Sequence, residues 1–163
     1  DSDIPRILSS ARSMRMGLKL LEPQLEEEQA RPILGKVILG TVEGDLHDVG
    51  KNLVAIMFRC EGFEVIDLGV DVPEQQFVRA VREHPDASIV CASSLLTTTR
   101  AAMRKVVRLL RETKGLPPVL VMVGGGSVTQ AFADEIGADA YTETAVDAAD
   151  RARSLILERR GQK

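Results

Sequence analysis

The chain has 163 residues, a formal net charge of -3, 44% apolar residues and 28% charged residues. This length and composition suit one globular domain with room for a short appendage. The charge excludes the basic surface that nucleic acid or an anionic membrane would need. Because no apolar run could span a bilayer and no signal-peptide pattern opens the chain, we expect a cytoplasmic protein without nucleic-acid or membrane partners.

The first 33 residues differ from the rest of the chain. Their apolar residues recur at helical spacing, at Ile4, Ile7, Leu8, Ala11, Met14, Leu18, Leu21 and Leu25. Gly17 and Pro23 interrupt this pattern, which therefore predicts one long or two short helices. Such helices cannot close a core alone, so they either pack on the main domain or are the remnant of a larger helical module. We divide the chain into an N-terminal helical segment, residues 1–33, and a main domain, residues 34–163.

From Lys36 onward, short apolar segments rich in Val and Ile alternate with amphipathic segments. The predicted strands are Val37–Gly40, Glu64–Leu68, Ser88–Ala92, Val119–Val123 and Ala138–Tyr141. The predicted helices are Val49–Glu61, Glu74–Glu83, Thr99–Thr113, Thr129–Ile136 and Ala145–Glu158. Strands of this composition are buried on both faces, and their alternation with helices indicates a parallel sheet. We predict an α/β, flavodoxin-like (Rossmann-like) fold with a doubly wound five-stranded parallel sheet of order 2-1-3-4-5.

Three polar loops follow the first, third and fourth predicted strands. They contain Asp45, His47 and Gly50, then the hydroxyl-rich run Ser93–Thr99, then Gly124–Gly126. Open parallel sheets bind ligands at the carboxyl ends of their strands, so we expect these loops to converge on one ligand. A neutral imidazole binds a metal through one nitrogen, while its other N–H needs an acceptor. His47 is therefore the candidate ligand to a metal carried by a large cofactor, and Asp45 is the candidate acceptor that orients it.

Each loop also has a simpler interpretation. A lone histidine in a loop is more often structural or exposed, and consecutive glycines can form a tight turn. Thr98 or Thr99 can serve as the N-cap of the helix that follows. Only the occurrence of all three loops along one sheet edge favours a ligand site.

Several residues outside the central motif are left open. Lys51 either contacts the cofactor or simply begins a helix, and Asp71 is either a turn residue or a ligand contact. We expect His84 at the surface. Cys60 and Cys91 match no zinc or redox spacing, so we expect both to be buried thiols.

The three loops together resemble the signature of a known family, the cobalamin-binding domains of the methionine synthase and corrinoid methyltransferase type. The elements of the resemblance are, in chain order, Asp45-x-His47-x-x-Gly50, Ser93-x-Leu95 and Gly124-Gly125. The longer strings GTVEGDLHDVGKNLV and DLGVDVP most resemble the small corrinoid proteins of methyltransferase systems, which serve donors such as methanol, methylamines or methoxylated aromatics. The resemblance extends from about Gly35 to the C-terminal helix.

The resemblance implies a bound cobalamin or related corrinoid, which alternates between methylcobalamin and cob(I)alamin. His47 would replace the benzimidazole as the lower ligand of cobalt, the base-off mode, and Asp45 would hydrogen-bond His47. Thr99 stands where methionine synthase has the serine that extends this pair. The nucleotide tail would enter the slot between the sheet and its helices. The implied cofactor-binding residues are Gly44, Asp45, Leu46, His47, Asp48, Val49, Gly50, Ser93, Leu95, Thr97, Thr99, Gly124, Gly125, Gly126, Tyr141 and Thr142, with His47 as the metal ligand.

The function implied is that of a non-catalytic corrinoid subunit that shuttles a methyl group on cobalt. Its partners would be a donor-specific methyltransferase, an acceptor methyltransferase of the tetrahydrofolate or thiol type, and a reductive activase. Corrinoid proteins of this type carry a four-helix module over the methyl-bearing face, and residues 1–33 resemble only the end of it. The chain is therefore either a trimmed fragment or leaves that face more open.

Four alternative functions share parts of this pattern. A cobalamin-dependent sensory or regulatory module and the small subunit of an adenosylcobalamin mutase also bind the cofactor. The absence of Trp disfavours a photosensor, and the GKN string after Gly50 favours the methyl carrier over the mutase. A flavodoxin-like electron carrier would need aromatic residues around its ring, and a response-regulator receiver would need an acidic residue after the third strand. The sequence offers neither feature.

Overall fold

The computed structural model describes residues 34–162. The strands are β1 (Gly35–Thr41), β2 (Phe63–Asp67), β3 (Ile89–Ser93), β4 (Leu120–Gly124) and β5 (Ala140–Tyr141). The helices are α1 (Val49–Cys60), α2 (Glu74–Glu83), α3 (Arg100–Glu112), α4 (Gln130–Ile136) and α5 (Ala145–Gly161), and a 3-10 turn at Thr97–Thr99 leads into α3. The predicted helical segment 1–33 lies outside the described residues, so the division of the chain there stays a prediction.

The strands form one parallel sheet of order β2-β1-β3-β4-β5. This confirms the predicted flavodoxin-like fold and its strand order. Each strand and helix predicted from Val37 onward is present, and its ends differ from the prediction by no more than three residues. Within residues 34–162, no helix combines the length and the apolar character needed to cross a bilayer.

The two faces of the sheet are covered by different helices. Helices α2, α3 and α4 pack on one face, and α1 and α5 pack on the other. Successive residues of β1 alternate between these layers, so Ile38 packs in the same cluster as Phe77 while Val37 and Leu39 pack in the cluster of Phe58. All of these side chains are fully buried. Burial on both faces explains why the strand sequences are apolar at consecutive positions.

Two of the helices begin at a threonine that caps them. The Thr129 side chain accepts the Phe132 N–H at the start of α4, and the Thr144 side chain accepts the Asp147 N–H at the start of α5. Thr99 occupies the same position before α3 but makes no side-chain capping bond. The capping interpretation of Thr99 is therefore wrong, because its hydroxyl group bonds outside the helix instead.

The strand register brings the three polar loops together. Thr41 of β1 pairs with Ser93 of β3, and Ser93 pairs with Gly124 of β4. These residues are the last of their strands, so the loops that follow start side by side at one edge of the sheet.

Candidate functional site

Three loops build the candidate site at the carboxyl edge. We call residues 42–48 the histidine loop, residues 94–99 the hydroxyl loop and residues 125–129 the glycine loop. The histidine loop follows β1, the hydroxyl loop follows β3 and the glycine loop follows β4. Since β1 and β3 are the two strands from which the chain winds in opposite directions, the site lies at the switch point of the sheet.

Asp45 and His47 form the central contact of the histidine loop. The Nδ1 atom of His47 lies 2.6 Å from Oδ1 of Asp45, and the His47 main-chain N–H donates to the same oxygen at 3.0 Å. The Asp45 side chain is completely buried, whereas 51% of the His47 side chain is exposed. No described residue hydrogen-bonds Nε2 of His47. The buried Asp45 carboxylate therefore holds the imidazole through Nδ1, and Nε2 stays without a hydrogen bond on the exposed part of the ring.

The second carboxylate oxygen of Asp45 joins the histidine loop to the hydroxyl loop. It accepts the main-chain N–H of Leu95 at 2.7 Å and that of Leu96 at 3.4 Å, and it lies 3.2 Å from the Thr99 hydroxyl oxygen. Burial by itself would raise the pKa of Asp45, but the hydrogen bonds from His47, Leu95 and Leu96 lower that pKa to about 2. Asp45 is therefore ionised at neutral pH, although no described lysine or arginine pairs with it.

Ser94 and Ser127 extend this network, and neither was among the predicted site residues. The Ser94 hydroxyl oxygen lies 2.7 Å from that of Thr99 and 3.3 Å from that of Ser127. Ser127 also donates to the Ser94 carbonyl oxygen at 3.1 Å, which ties the glycine loop to the hydroxyl loop. The density of hydroxyl groups in the sequence was the available signal. Adjacent residues point to opposite sides, however, so the sequence did not show which serine faces inward.

Ser93, the predicted neighbour of the ligand, points the other way from Ser94. Its hydroxyl oxygen lies 2.9 Å from that of Thr41, and Thr41 donates to the His47 carbonyl oxygen at 3.0 Å. Ser93 therefore supports the end of the histidine loop through Thr41. Its predicted contact with a cofactor stays a prediction.

The glycine loop packs tightly against the hydroxyl loop. Gly125 has a φ of 118°, and a Cβ atom there would overlap the Ser94 carbonyl oxygen. A Cβ on Gly126 would lie 2.7 Å from Leu95 Cδ1, and one on Gly124 would lie 3.1 Å from the Thr142 carbonyl oxygen. Close approach of two loops thus accounts for a glycine at 125. The predicted role of the glycines in making room for a cofactor remains a prediction.

The remaining predicted residues fall into two groups, those of the loops and first turn of α1 around His47, and Tyr141 and Thr142 at the edge strand β5. Leu46 is 71% exposed and Leu95 is 46% exposed, and Thr97 is also exposed. Gly44 and Asp48 lie in the histidine loop, and Val49 and Gly50 form the first turn of α1. Tyr141 lies in the edge strand β5 and packs against the hydrophobic cluster between the sheet and helices α2, α3 and α4. Neither Tyr141 nor Thr142 hydrogen-bonds the Asp45 network.

Lys51 lies in the first turn of α1 and has a partner within the protein, whereas Cys60 differs from its prediction. The Lys51 amine is buried and lies 2.7 Å from Asp67 Oδ2, so it has a partner within the protein. Cys60 is exposed, and the prediction of two buried thiols is therefore wrong for it, because it lies at the last, outward-facing position of α1. Cys91 is buried in β3, and this burial raises the pKa of its thiol to about 12. His84 is half-buried at the end of α2.

Three comparisons place the chain among known proteins. A family model described as the B12 binding domain matches residues 35–150. Dimethylamine corrinoid protein 2 of Methanosarcina mazei is 44% identical over 154 residues, which are 94% of this chain and 72% of that protein. The structure of the Methanosarcina barkeri monomethylamine corrinoid protein aligns with a TM-score of 0.81 and 34% identity, over 93% of this chain and 71% of that one.

A solved complex contains a further similar chain. In the methanol:cobalamin methyltransferase complex MtaBC from Methanosarcina barkeri, one chain aligns with a TM-score of 0.72 and 34% identity. The alignment covers 94% of this chain and 58% of that one.

Proposed function

Because this chain belongs to the B12-binding domain family, as a corrinoid-binding protein of the methyltransferase type, we propose that it carries a methyl group between methyltransferases and that His47 is the lower ligand of cobalt. The main observation in support of His47 as the cobalt ligand is the 2.6 Å contact between its Nδ1 and the buried Asp45 carboxylate. That contact leaves Nε2 unbonded on a half-exposed ring. A histidine that ligates a metal is usually held in this way by an acceptor on its other nitrogen.

The donor set around His47 fits a metal that arrives inside a macrocycle. Within residues 34–162, no group of three or more His, Cys, Asp or Glu side chains could hold a metal ion by itself. A metal bound to His47 would therefore need further ligands from outside the described residues. The ring nitrogens of a corrin supply them.

The surface around His47 also suits a flat apolar ring. Among the described residues, the large apolar side chains that are exposed include Leu46, Leu95 and Leu96, and all three belong to the histidine and hydroxyl loops. Exposed apolar side chains that cluster around a polar group mark binding sites more often than single exposed ones do. We propose that Leu46 and Leu95 pack under the corrin, and that Thr97 and the glycine loop flank its nucleotide tail.

The corrinoid supplies the chemistry when bound, since its cobalt accepts a methyl group from one substrate and releases it to another. His47 would supply a nitrogen ligand to its cobalt, and Asp45 would orient the ring. The Asp45 carboxylate can accept a hydrogen bond from Nδ1 of His47, so that in the neutral ring with its proton on Nδ1, Nε2 would be the nitrogen open to a metal. Hydrogen bonds from Leu95 and Thr99 keep the Asp45 carboxylate in place and share its charge.

The proposed partners are a donor methyltransferase, an acceptor methyltransferase of the tetrahydrofolate or thiol type, and a reductive activase. The similar chain in the methanol:cobalamin methyltransferase complex supports a methyltransferase as one partner. The names of the similar proteins, which include a dimethylamine and a monomethylamine corrinoid protein, support a small methylated donor.

Isotope labelling of the protein tests the axial ligand. Protein uniformly labelled with 15N is loaded with unlabelled cobalamin and reduced to the Co(II) state, and its electron paramagnetic resonance spectrum is recorded. A protein nitrogen on cobalt splits the lines into doublets, because 15N has spin one half, whereas the unlabelled benzimidazole splits them into triplets. We expect doublets from the wild type and from His84→Ala, and no nitrogen splitting from His47→Ala with cofactor still bound.

The opposite pattern would contradict the proposal. Triplets in the labelled wild type would mean that the nucleotide base still binds cobalt. Doublets that persist in His47→Ala would mean that another protein nitrogen is the ligand.

A further inference from the structure

The segment that follows β2 supports the histidine loop from the side. We call residues 68–73 the bracket loop. The Leu68 N–H donates to the Leu39 carbonyl oxygen at 2.8 Å, and the Thr41 N–H donates to that of Gly69 at 2.9 Å. Val42 and Val72 then form an isolated parallel bridge, and both are buried. The pairing of β1 with β2 thus continues past the ends of the strands and into the histidine loop.

Asp71 of the bracket loop binds two peptide groups of the histidine loop. Its carboxylate Oδ1 accepts the Gly44 N–H at 2.7 Å, and its own N–H donates to the Asp45 carbonyl oxygen at 2.9 Å. The two hydrogen bonds hold the Gly44–Asp45 dipeptide at both ends. Within residues 34–162, no hydrogen bond joins Asp71 to the His47 ring.

The backbone of Asp71 is unusual. Its φ of 51° lies in the left-handed region, and Asp71 is the only non-glycine residue of the described chain in that region. Side chains with a Cβ atom are disfavoured there, although aspartate and asparagine tolerate it better than others. Such a conformation persists where the surrounding bonds impose it. Here it lets the side chain and the N–H of one residue reach the same dipeptide.

We propose that Asp71 is a positioning residue for His47, which it reaches through Asp45. The Asp45 carboxylate is packed between the His47 ring and the Leu95 N–H, with distances of 2.6 Å and 2.7 Å. A shift of the Asp45 backbone therefore has to lengthen one of these bonds. By fixing that backbone, Asp71 sets the acceptor that holds Nδ1, and so the direction in which Nε2 points.

Two substitutions of Asp71 distinguish a role in positioning His47 from a role in the turn alone. Asp71→Gly removes the carboxylate but favours the left-handed backbone, so a residue needed only for the turn would be replaced without loss. Asp71→Asn keeps an acceptor oxygen and tolerates the same backbone. Positioning therefore predicts that asparagine rescues and glycine does not.

The first measurement uses the protein without cofactor. In 15N NMR spectra recorded at a pH high enough for the ring to carry a single proton, we expect the wild type and Asp71→Asn to hold that proton on Nδ1 of His47. We expect Asp71→Gly to show an average of the two ring tautomers, because the acceptor is no longer held in place. A wild-type ring spectrum in Asp71→Gly would overturn the proposal.

The second measurement concerns cobalt and rests on the proposed function. Cobinamide lacks the nucleotide base, so any lower nitrogen ligand must come from the protein. Its dissociation constant, read from visible absorbance, should rise about three- to tenfold in Asp71→Gly, the scale of one lost hydrogen bond. It should stay close to the wild-type value in Asp71→Asn. Equal binding by wild type and Asp71→Gly would overturn the proposal.

The two measurements also distinguish which proposal fails. Should cobinamide bound to the 15N-labelled wild type show no doublet splitting, His47 is not the cobalt ligand and the proposed function fails. The NMR comparison of Asp71→Gly with the wild type would still decide the role of Asp71.

Discussion

At the scale of single residues, Asp45 is a buried carboxylate stabilised by hydrogen-bond donors rather than by a cation. It accepts the main-chain N–H groups of His47 and Leu95, and the His47 ring and the Thr99 hydroxyl lie within hydrogen-bonding distance. Burying a charge is costly unless it is hydrogen-bonded or paired. Donors to an ionised carboxylate favour the charged form, which explains the lowered pKa of Asp45. The site thus depends on two loops meeting at one carboxylate.

The contribution of the Thr99 hydroxyl can be isolated by two substitutions. Thr99→Val keeps the shape of the side chain but removes the hydroxyl that bonds both Asp45 and Ser94, which should lower the free energy of unfolding by about 2 kcal/mol. Thr99→Ser keeps the hydroxyl and should lose about 1 kcal/mol for the removed methyl group. Urea denaturation of the cofactor-free protein measures both values.

The two Thr99 variants control for each other, because one removes the hydroxyl group and the other removes the methyl group. A loss in Thr99→Ser with no loss in Thr99→Val would mean that only the methyl group of Thr99 contributes to stability. The hydrogen bonds of its hydroxyl to Asp45 and Ser94 would then have no net effect.

At the scale of elements, the site is made by loops that pack on one another at the ends of paired strands. The hydroxyl loop touches the histidine loop through Asp45 and touches the glycine loop through Ser94 and Ser127. The bracket loop holds the histidine loop from its other side through Asp71. A loop held by several partners can keep a side chain in one orientation, which a metal ligand requires.

Two glycines at this edge should respond oppositely to alanine. Gly125→Ala places a Cβ against the Ser94 carbonyl oxygen at a positive φ, so it should lower the free energy of unfolding by about 3 kcal/mol. Gly50 lies in the first turn of α1 with no atom within 4 Å of a built Cβ. Gly50→Ala should therefore raise the free energy of unfolding by about 0.5 kcal/mol.

Gly50→Ala also tests the predicted approach of the cofactor. If the corrinoid lies against Gly50, the added methyl group should weaken corrinoid binding about tenfold while the cofactor-free protein becomes more stable. Absorbance titration with cobalamin measures the first effect and thermal unfolding the second. Unchanged binding in this variant would remove Gly50 from the set of cofactor-contacting residues.

At the scale of the whole molecule, the stability of the fold depends on the charge of the site. The folded-state pKa of Asp45, about 2, lies below its ordinary value of 3.8. A lowered pKa means that ionised Asp45 stabilises the folded state above about pH 4, and that this contribution is lost as the pH falls toward 2. The shift corresponds to about 2 kcal/mol of unfolding free energy.

Urea denaturation of the wild type and Asp45→Asn across this pH range measures that contribution. We expect the difference in unfolding free energy between them to shrink as the pH falls from about 4 to about 2, because only the wild type loses a charge at this position. The other carboxylates are common to both proteins and cancel. A difference that does not change with pH would contradict the lowered pKa of Asp45.

Much of the architecture follows from the sequence alone. Consecutive apolar residues in the strands require burial on both faces, and alternation with helices requires parallel strands, so the order of the sheet and the edge that holds the site could both be predicted. The pairing of His47 with Asp45 could be predicted as well, because the two residues are neighbours in the same loop. These features depend on local spacing.

Only the tertiary structure decided which distant groups complete the site. Thr99 reaches Asp45 across 54 positions of the chain, and Ser94 rather than Ser93 joins the same network. The ion pair of Lys51 with Asp67 and the hydrogen bond from Gly44 to Asp71 likewise join different elements of the chain. Such contacts depend on strand register and on the side of the chain that each residue faces at the end of a strand. Neither property is encoded in local spacing, since a shift of one residue would turn each side chain to the opposite face.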